Sequence, residues 1–142
     1  MNEIQEVIER KAALLQTGDA KAILSHYAPG FVEYSLAPPL RQPGDRRDPA
    51  VLEQWMAGFE APPRREVTRL EITTDGDVAF ATSIDSLSAV PRGSTEPFTL
   101  WFRVTLGLRR IDSHWLVTHE HESVPFEMDG SFRASTDLTP SA

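Results

Sequence analysis

The stretch THEHESVPF, Thr118 to Phe126, sets two of the chain's four histidines, His119 and His121, two residues apart with an acid after each. Imidazole changes charge near neutral pH, so such a pair offers a general base, a proton donor or half of a metal site. Strict strand alternation puts Trp115, Val117, His119 and His121 on one face, and Leu116, Thr118, Glu120 and Glu122 on the other. The histidines then continue an apolar surface and look into the core, while Glu120 and Glu122 meet solvent or a second subunit. A stable metal site needs a third ligand, for which Asp85 is the carboxylate to watch; His26 and His114 fall on an early helix and a turn with no reason to converge. No metal and no other cofactor is expected. The plainer reading of the pair is that each imidazole bonds a backbone carbonyl or packs beside Trp101.

Other polar groups stand inside apolar patterns. Asp85, in VAFATSIDSLS, shares a face with Ala79, Ala81 and Ser83, which leaves room for a ligand or a closely packed helix. Paired with His121 it would fix one tautomer and raise the imidazole's basicity. In FTLWFRVTLGLRR, Trp101 and Arg103 alternate with Leu100, Phe102 and Val104; facing inward, Arg103 would bind a ligand oxygen while Trp101 stacks on its apolar body. Facing outward, Arg103 would pair with Glu120 or Glu66. Tyr34, Trp55 and Phe59 are candidates for the rim of a pocket. The Arg46-Arg47 and Arg64-Arg65 pairs read as solvated loop residues.

These residues need elements to position them. Apolar residues recur at three- and four-residue steps from Asn2 to Thr17, predicting a helix that Gly18 ends. Asp19 can cap a second helix running to about Tyr27, with Pro29-Gly30 as its stop. Phe31 to Tyr34 is a short strand, followed by the long proline-rich loop SLAPPLRQPGDRR. Asp48-Pro49 has the chemistry of a helix start, and a third helix follows to about Phe59. Four β segments come next, about Glu66 to Thr74, Asp77 to Ser88, Phe98 to Arg110 and Trp115 to Ser123. Asp75-Gly76 and Asp112-Ser113 are suited to tight turns between them. Helices first and antiparallel strands after predict an α+β domain over residues 1–126, with a polar tail over 127–142.

Composition narrows the function. The chain has 142 residues, one domain's length, and 21 acidic against 14 basic side chains, a formal charge of −7 that disfavours nucleic acid and anionic lipid. There is no cysteine, which removes disulfides and thiolate chemistry. The charged start MNEIQEVIERK is not a signal peptide, and no apolar run approaches the roughly 20 residues of a membrane span. A soluble cytoplasmic protein is expected.

Two stretches carry a family resemblance. LLQTGDAKAILSHYAPGFVEYS and FRVTLGLRRIDSHWLVTHEHESVP resemble the opening and closing segments of the nuclear transport factor 2-like superfamily, in particular SnoaL-like and ketosteroid-isomerase-like proteins. The second is also similar to the association domain of calcium/calmodulin-dependent kinases. The resemblance implies a cone-shaped, curved antiparallel sheet wrapped around three N-terminal helices, and a homodimer formed through the sheet. It does not carry steroid isomerisation, because the three catalytic positions of that enzyme fall near Lys11, Tyr34 and Leu106. The expected function is binding of a small carbonyl or carboxylate compound. As an enzyme the protein would be a cofactor-free isomerase, cyclase or dehydratase, with His121 as base, Asp85 orienting it, and Tyr34, His119 and Arg103 as donors beside Trp55 and Trp101. The alternative is a non-catalytic ligand-binding or oligomerisation module.

Overall fold

A computed structural model describes residues 2–141. The first helix, α1 (Glu3–Leu15), begins where the Asn2 side chain accepts the Gln5 amide proton at 2.7 Å, and its stripe of Ile4, Ile8, Ala12 and Leu15 is buried. Lys11 is buried on the same stripe. Gly18 reverses the chain at φ +73°, and Asp19 caps α2 (Ala20–Leu24) through the Ala22 amide. A Cβ at Gly18 would stand 3.1 Å from Pro62 Cγ in a left-handed backbone. Gly18→Ala is therefore expected to cost about 1–2 kcal/mol in denaturant unfolding; a neutral result would mean that this turn relaxes freely. The third helix, α3 (Pro49–Met56), starts as expected, with Asp48 accepting from the Ala50 amide and proline at the first turn.

Five strands form one unclosed, curved sheet: β1 (Tyr27–Tyr34), β2 (Arg64–Asp75), β3 (Val78–Ala89), β4 (Phe98–Ile111) and β5 (His114–Ser123), in the order β1-β5-β4-β3-β2. The last four are an antiparallel meander, whereas β1 joins β5 in parallel. Gly76, Asp112 and Ser113 take the positive φ that their turns require. The second helix is shorter than its pattern suggested. Tyr27 opens β1, and Pro29-Gly30 lies inside that strand as an irregularity, with Gly30 at φ +73° and the register to β5 shifting between Tyr27 and Val32.

The concave face of the sheet packs on the helices. Ala79, Ala81 and Leu87 from β3, Phe102, Val104, Leu106 and Leu108 from β4, and Trp115 and Val117 from β5 join Ile4, Ile8 and Leu15 in the core. One residue reverses the expected facing of β5. Gly107 pairs with His119 but Leu108 pairs with Val117, so Thr118 is extra, and its hydroxyl donates to the Gly107 carbonyl at 3.2 Å. This is a β-bulge. Gly107 suits it, since a Cβ there would lie 3.3 Å from His119 Cβ. Beyond the bulge the alternation inverts: Trp115 and Val117 face the core, His119 and His121 turn to the outer face, and Glu120 and Glu122 face inward. The expected histidine-lined interior is thereby replaced by a carboxylate-lined one.

After β5 the chain makes a narrow hairpin, with the Glu127 amide donating to the Arg133 carbonyl and the Ser135 amide to the Pro125 carbonyl. Ser141 then meets Arg69 on β2. Among the described residues no helix is long and apolar enough to cross a membrane.

Candidate functional site

The mouth of the cone opens into a cavity of about 370 Å³, within the size range of small-molecule sites. Its walls are mostly apolar: Leu15, Ile23 and Leu24 from the first two helices, Leu52, Trp55 and Phe59 from the region of α3, and Phe98, Leu100 and Phe102 from β4. Trp55 stands edge-on to Phe59 with ring centroids 5.3 Å apart, and Phe59 lies 6.2 Å from Phe98, forming an aromatic rim. The proline-rich loop after β1 adds Ser35, Leu36, Gln42 and Arg46. Gln42 pins this loop by donating to Ser35 Oγ and to the Ala37 carbonyl.

Charged groups gather on the wall made by α1, β1, β2 and β5. Lys11 Nζ lies 3.2 Å from Glu120 Oε1, and the Tyr27 hydroxyl donates to the same oxygen at 2.7 Å; both charged side chains of this pair are at most 5% exposed. Arg65 on β2 donates through Nε to Asp85 Oδ2 at 2.8 Å and places Nη1 3.1 Å from Glu122 Oε2. Ser83 donates to the other Asp85 oxygen at 2.7 Å. Arg46 from the loop donates to Glu33 Oε1 at 2.9 Å.

These neighbours set the charge states. Burial alone would raise Glu120, but Lys11 and Arg65 outweigh it and hold this carboxyl well below its ordinary range. Burial and the adjacent Glu120 push the Tyr27 hydroxyl well up, so it stays protonated as a donor. Glu122 is the opposite case. Burial, with the charges of Glu120 and Glu33, prevails over Arg65 and Lys11 and moves its carboxyl up to about 7. Glu33 is also raised, by burial first and then by Glu120. The cavity wall therefore holds a permanently ionised acid beside one that gains and loses its proton near neutrality, a division suited to acid–base chemistry.

Of the residues singled out in the sequence, Trp55 and Phe59 line this cavity. Asp85 faces inward but is 2% exposed and held by Arg65 and Ser83, away from His121. Tyr34, His119 and His121 form a cluster on the outer face, the tyrosine ring edge-on to both imidazoles at 5.2 and 5.4 Å. Arg103 is exposed on that face and donates to Ser123 Oγ, and Trp101 lies half-buried beside it on β4. The alternation of β4 puts Phe102, Val104 and Leu106 in the core, which turns Trp101 and Arg103 outward. Lys11, Tyr27, Glu33, Arg65, Glu120 and Glu122 are the polar groups that sequence pattern missed. A lysine within the apolar stripe of α1 was the one visible signal. Arg65, read as a solvated loop residue, is a part-buried strand residue stacked 5.2 Å over the Phe102 ring. Among the described residues no three metal-ligating side chains are grouped to hold an ion.

A family profile described as a SnoaL-like domain matches residues 4–127. Among solved structures, the chain is similar to an NTF2-like protein of unknown function from Pseudomonas putida KT2440, at 30% identity and a TM-score of 0.82, covering 97% of this chain and 94% of that one. It shares its fold with a protein provisionally named scytalone dehydratase from Novosphingobium aromaticivorans, at 13% identity, TM-score 0.76 and coverage of 99% and 93%. A provisionally named calcium/calmodulin-dependent protein kinase II association domain from Xanthomonas campestris shares it too, at 17% identity, TM-score 0.72 and coverage of 85% and 84%. No curated protein matches the chain in sequence.

Proposed function

This chain belongs to the SnoaL-like domain family, and we propose that its cavity binds a small, largely apolar compound on which Glu122 performs cofactor-free proton transfer. The observation that carries this reading is a carboxyl that lines the cavity, keeps one oxygen on Arg65, and has its proton affinity raised to about 7. A group with that affinity is half-ionised at neutral pH, where the product of free base and driving force is greatest. Arg65 orients the carboxylate, and the apolar walls exclude water from the reacting atoms. Isomerisation, dehydration and cyclisation all begin with such a proton abstraction, and the fold is shared with a protein provisionally named as a dehydratase. His121 and Asp85 are replaced in this proposal by Glu122 and Arg65.

Proton exchange in heavy water tests the proposal whatever the final product of the reaction. Small cyclic ketones and enones incubated with the protein are expected to take up deuterium beside the carbonyl, followed by NMR. The rate should rise with pH through about 7 as Glu122 ionises, and Glu122→Gln should reduce it by about 10²- to 10⁴-fold. Exchange that survives in Glu122→Gln would remove Glu122 from the mechanism. Bound ketones that never exchange would leave a binding module instead.

The outer face supports a homodimer. Val78 and Phe80 are 54% and 52% exposed on β3, and the Tyr34–His119–His121 cluster lies on the same face, on β1 and β5 beyond β4. Sedimentation at neutral pH should give twice the chain mass, and Phe80→Asp should return it to one; a wild-type monomer would end this part of the proposal.

A further inference from the structure

Glu33 and Glu120 are paired in register on the neighbouring strands β1 and β5, both line the cavity, and Glu122 lines it two residues further along β5. Like charges side by side on one face of a sheet are destabilising unless a cation lies among them. Lys11 serves Glu120, and Arg65 is divided between Asp85 and Glu122. Among the described residues Glu33 has only Arg46, which reaches it from the loop. Four carboxylates thus face three cations, and each cation is already committed to a partner. The second oxygens of Glu33 and Glu122 have no partner among the described residues, yet no buried side-chain oxygen is left unsatisfied, so both oxygens are open to the cavity. An anionic ligand would find no uncommitted cation here, whereas a cationic one would find two open carboxylate oxygens and an aromatic rim of Trp55 and Phe59.

We propose that the ligand of this cavity carries a protonated amine on an apolar or aromatic body, with the ammonium seated on Glu33. This rests on the reading of the cavity as the binding site, and it names the ligand class that reading left open. Glu33 is assigned the cation because its only partner among the described residues is a loop arginine, leaving Glu122, oriented by Arg65, for the proton. The raised proton affinity of Glu33 agrees with a position that gains from added positive charge.

Three probes with one body separate the possibilities: 3-phenylpropylamine, 3-phenylpropan-1-ol and 3-phenylpropanoate, titrated calorimetrically at pH 7. The amine is expected to bind about tenfold or more tightly than the alcohol, and the acid weakest. In Glu33→Gln the amine should fall to within about threefold of the alcohol, while the alcohol binds as in the wild type, showing that the variant keeps its cavity. Tightest binding of the acid or the alcohol to the wild type would overturn the ammonium assignment and leave the cavity as a ligand site. An amine preference that persists in Glu33→Gln would also overturn it. Failure of all three probes to bind would overturn both readings together.

Discussion

Lys11→Met is expected to lower the unfolding free energy by about 3–5 kcal/mol, the cost of stranding a buried charge. Lys11 emerges from the apolar stripe of α1 and is 4% exposed; Glu120 is 3% exposed and takes both the ammonium and the Tyr27 hydroxyl. Removing the lysine leaves Glu120 with a phenol and the more distant Arg65. The carboxyl must then stay ionised without its ion pair or take up a proton, and either outcome costs stability. Adding Glu120→Gln should restore most of the loss, because the amide oxygen still accepts from Tyr27 while the uncompensated charge is gone. Denaturant midpoints for the two single variants and the double variant, at unchanged m-values, measure the coupling. A single-variant cost below about 1 kcal/mol would mean that the pair behaves as a solvated one.

Glu122→Gln should change the pH dependence of stability by nearly as much. The folded protein binds the Glu122 proton with an affinity of about 7 against an ordinary 4.5, so the native state holds this proton after the unfolded chain has released it. The stabilisation is complete below about pH 4 and is lost as pH rises through about 7, for a total of about 3 kcal/mol. Glutamine does not titrate. The stability of the wild type minus that of Glu122→Gln should therefore fall by that amount between pH 4 and pH 8 and be level outside the window. The difference matters because Glu33, His26 and His119 also titrate with shifted affinities, the histidines in the opposite sense, and are common to both proteins. A level difference throughout would show that water reaches Glu122 and returns it to ordinary behaviour.

Most of the elements were legible because their signals are local. The caps at Asp19 and Asp48, the stripe of α1 and the tight turns at Gly76 and Asp112-Ser113 each follow from the chemistry of a few neighbouring residues. The site was far less legible, and β5 shows why. Side-chain facing was propagated from Trp115 and Val117 to the histidines by a period of two, which holds only in an unbroken ladder. Thr118 breaks it by standing unpaired in the ladder with its hydroxyl on the Gly107 carbonyl of β4, a contact that no local pattern announces. Arg65 was missed for a related reason. A charged pair after two prolines looks like a loop, and its burial is visible only when Asp85 and Glu122, from β3 and β5, meet it. Lys11 could have been found, since a lysine in the middle of a buried stripe asks for a buried acid.

The bulge in β5 makes the composition of the cavity wall a matter of strand register. With Thr118 in place, the strand presents Glu120 and Glu122 to the ligand space and His119 and His121 to the outer surface. Were Thr118 instead taken into a regular ladder, the same four side chains would exchange sides, giving an imidazole-lined pocket and an acidic exterior. Which acid–base groups the wall carries is thus set by whether this one bulge is kept, while the turns, the caps and every side chain of the opposite wall are indifferent to it.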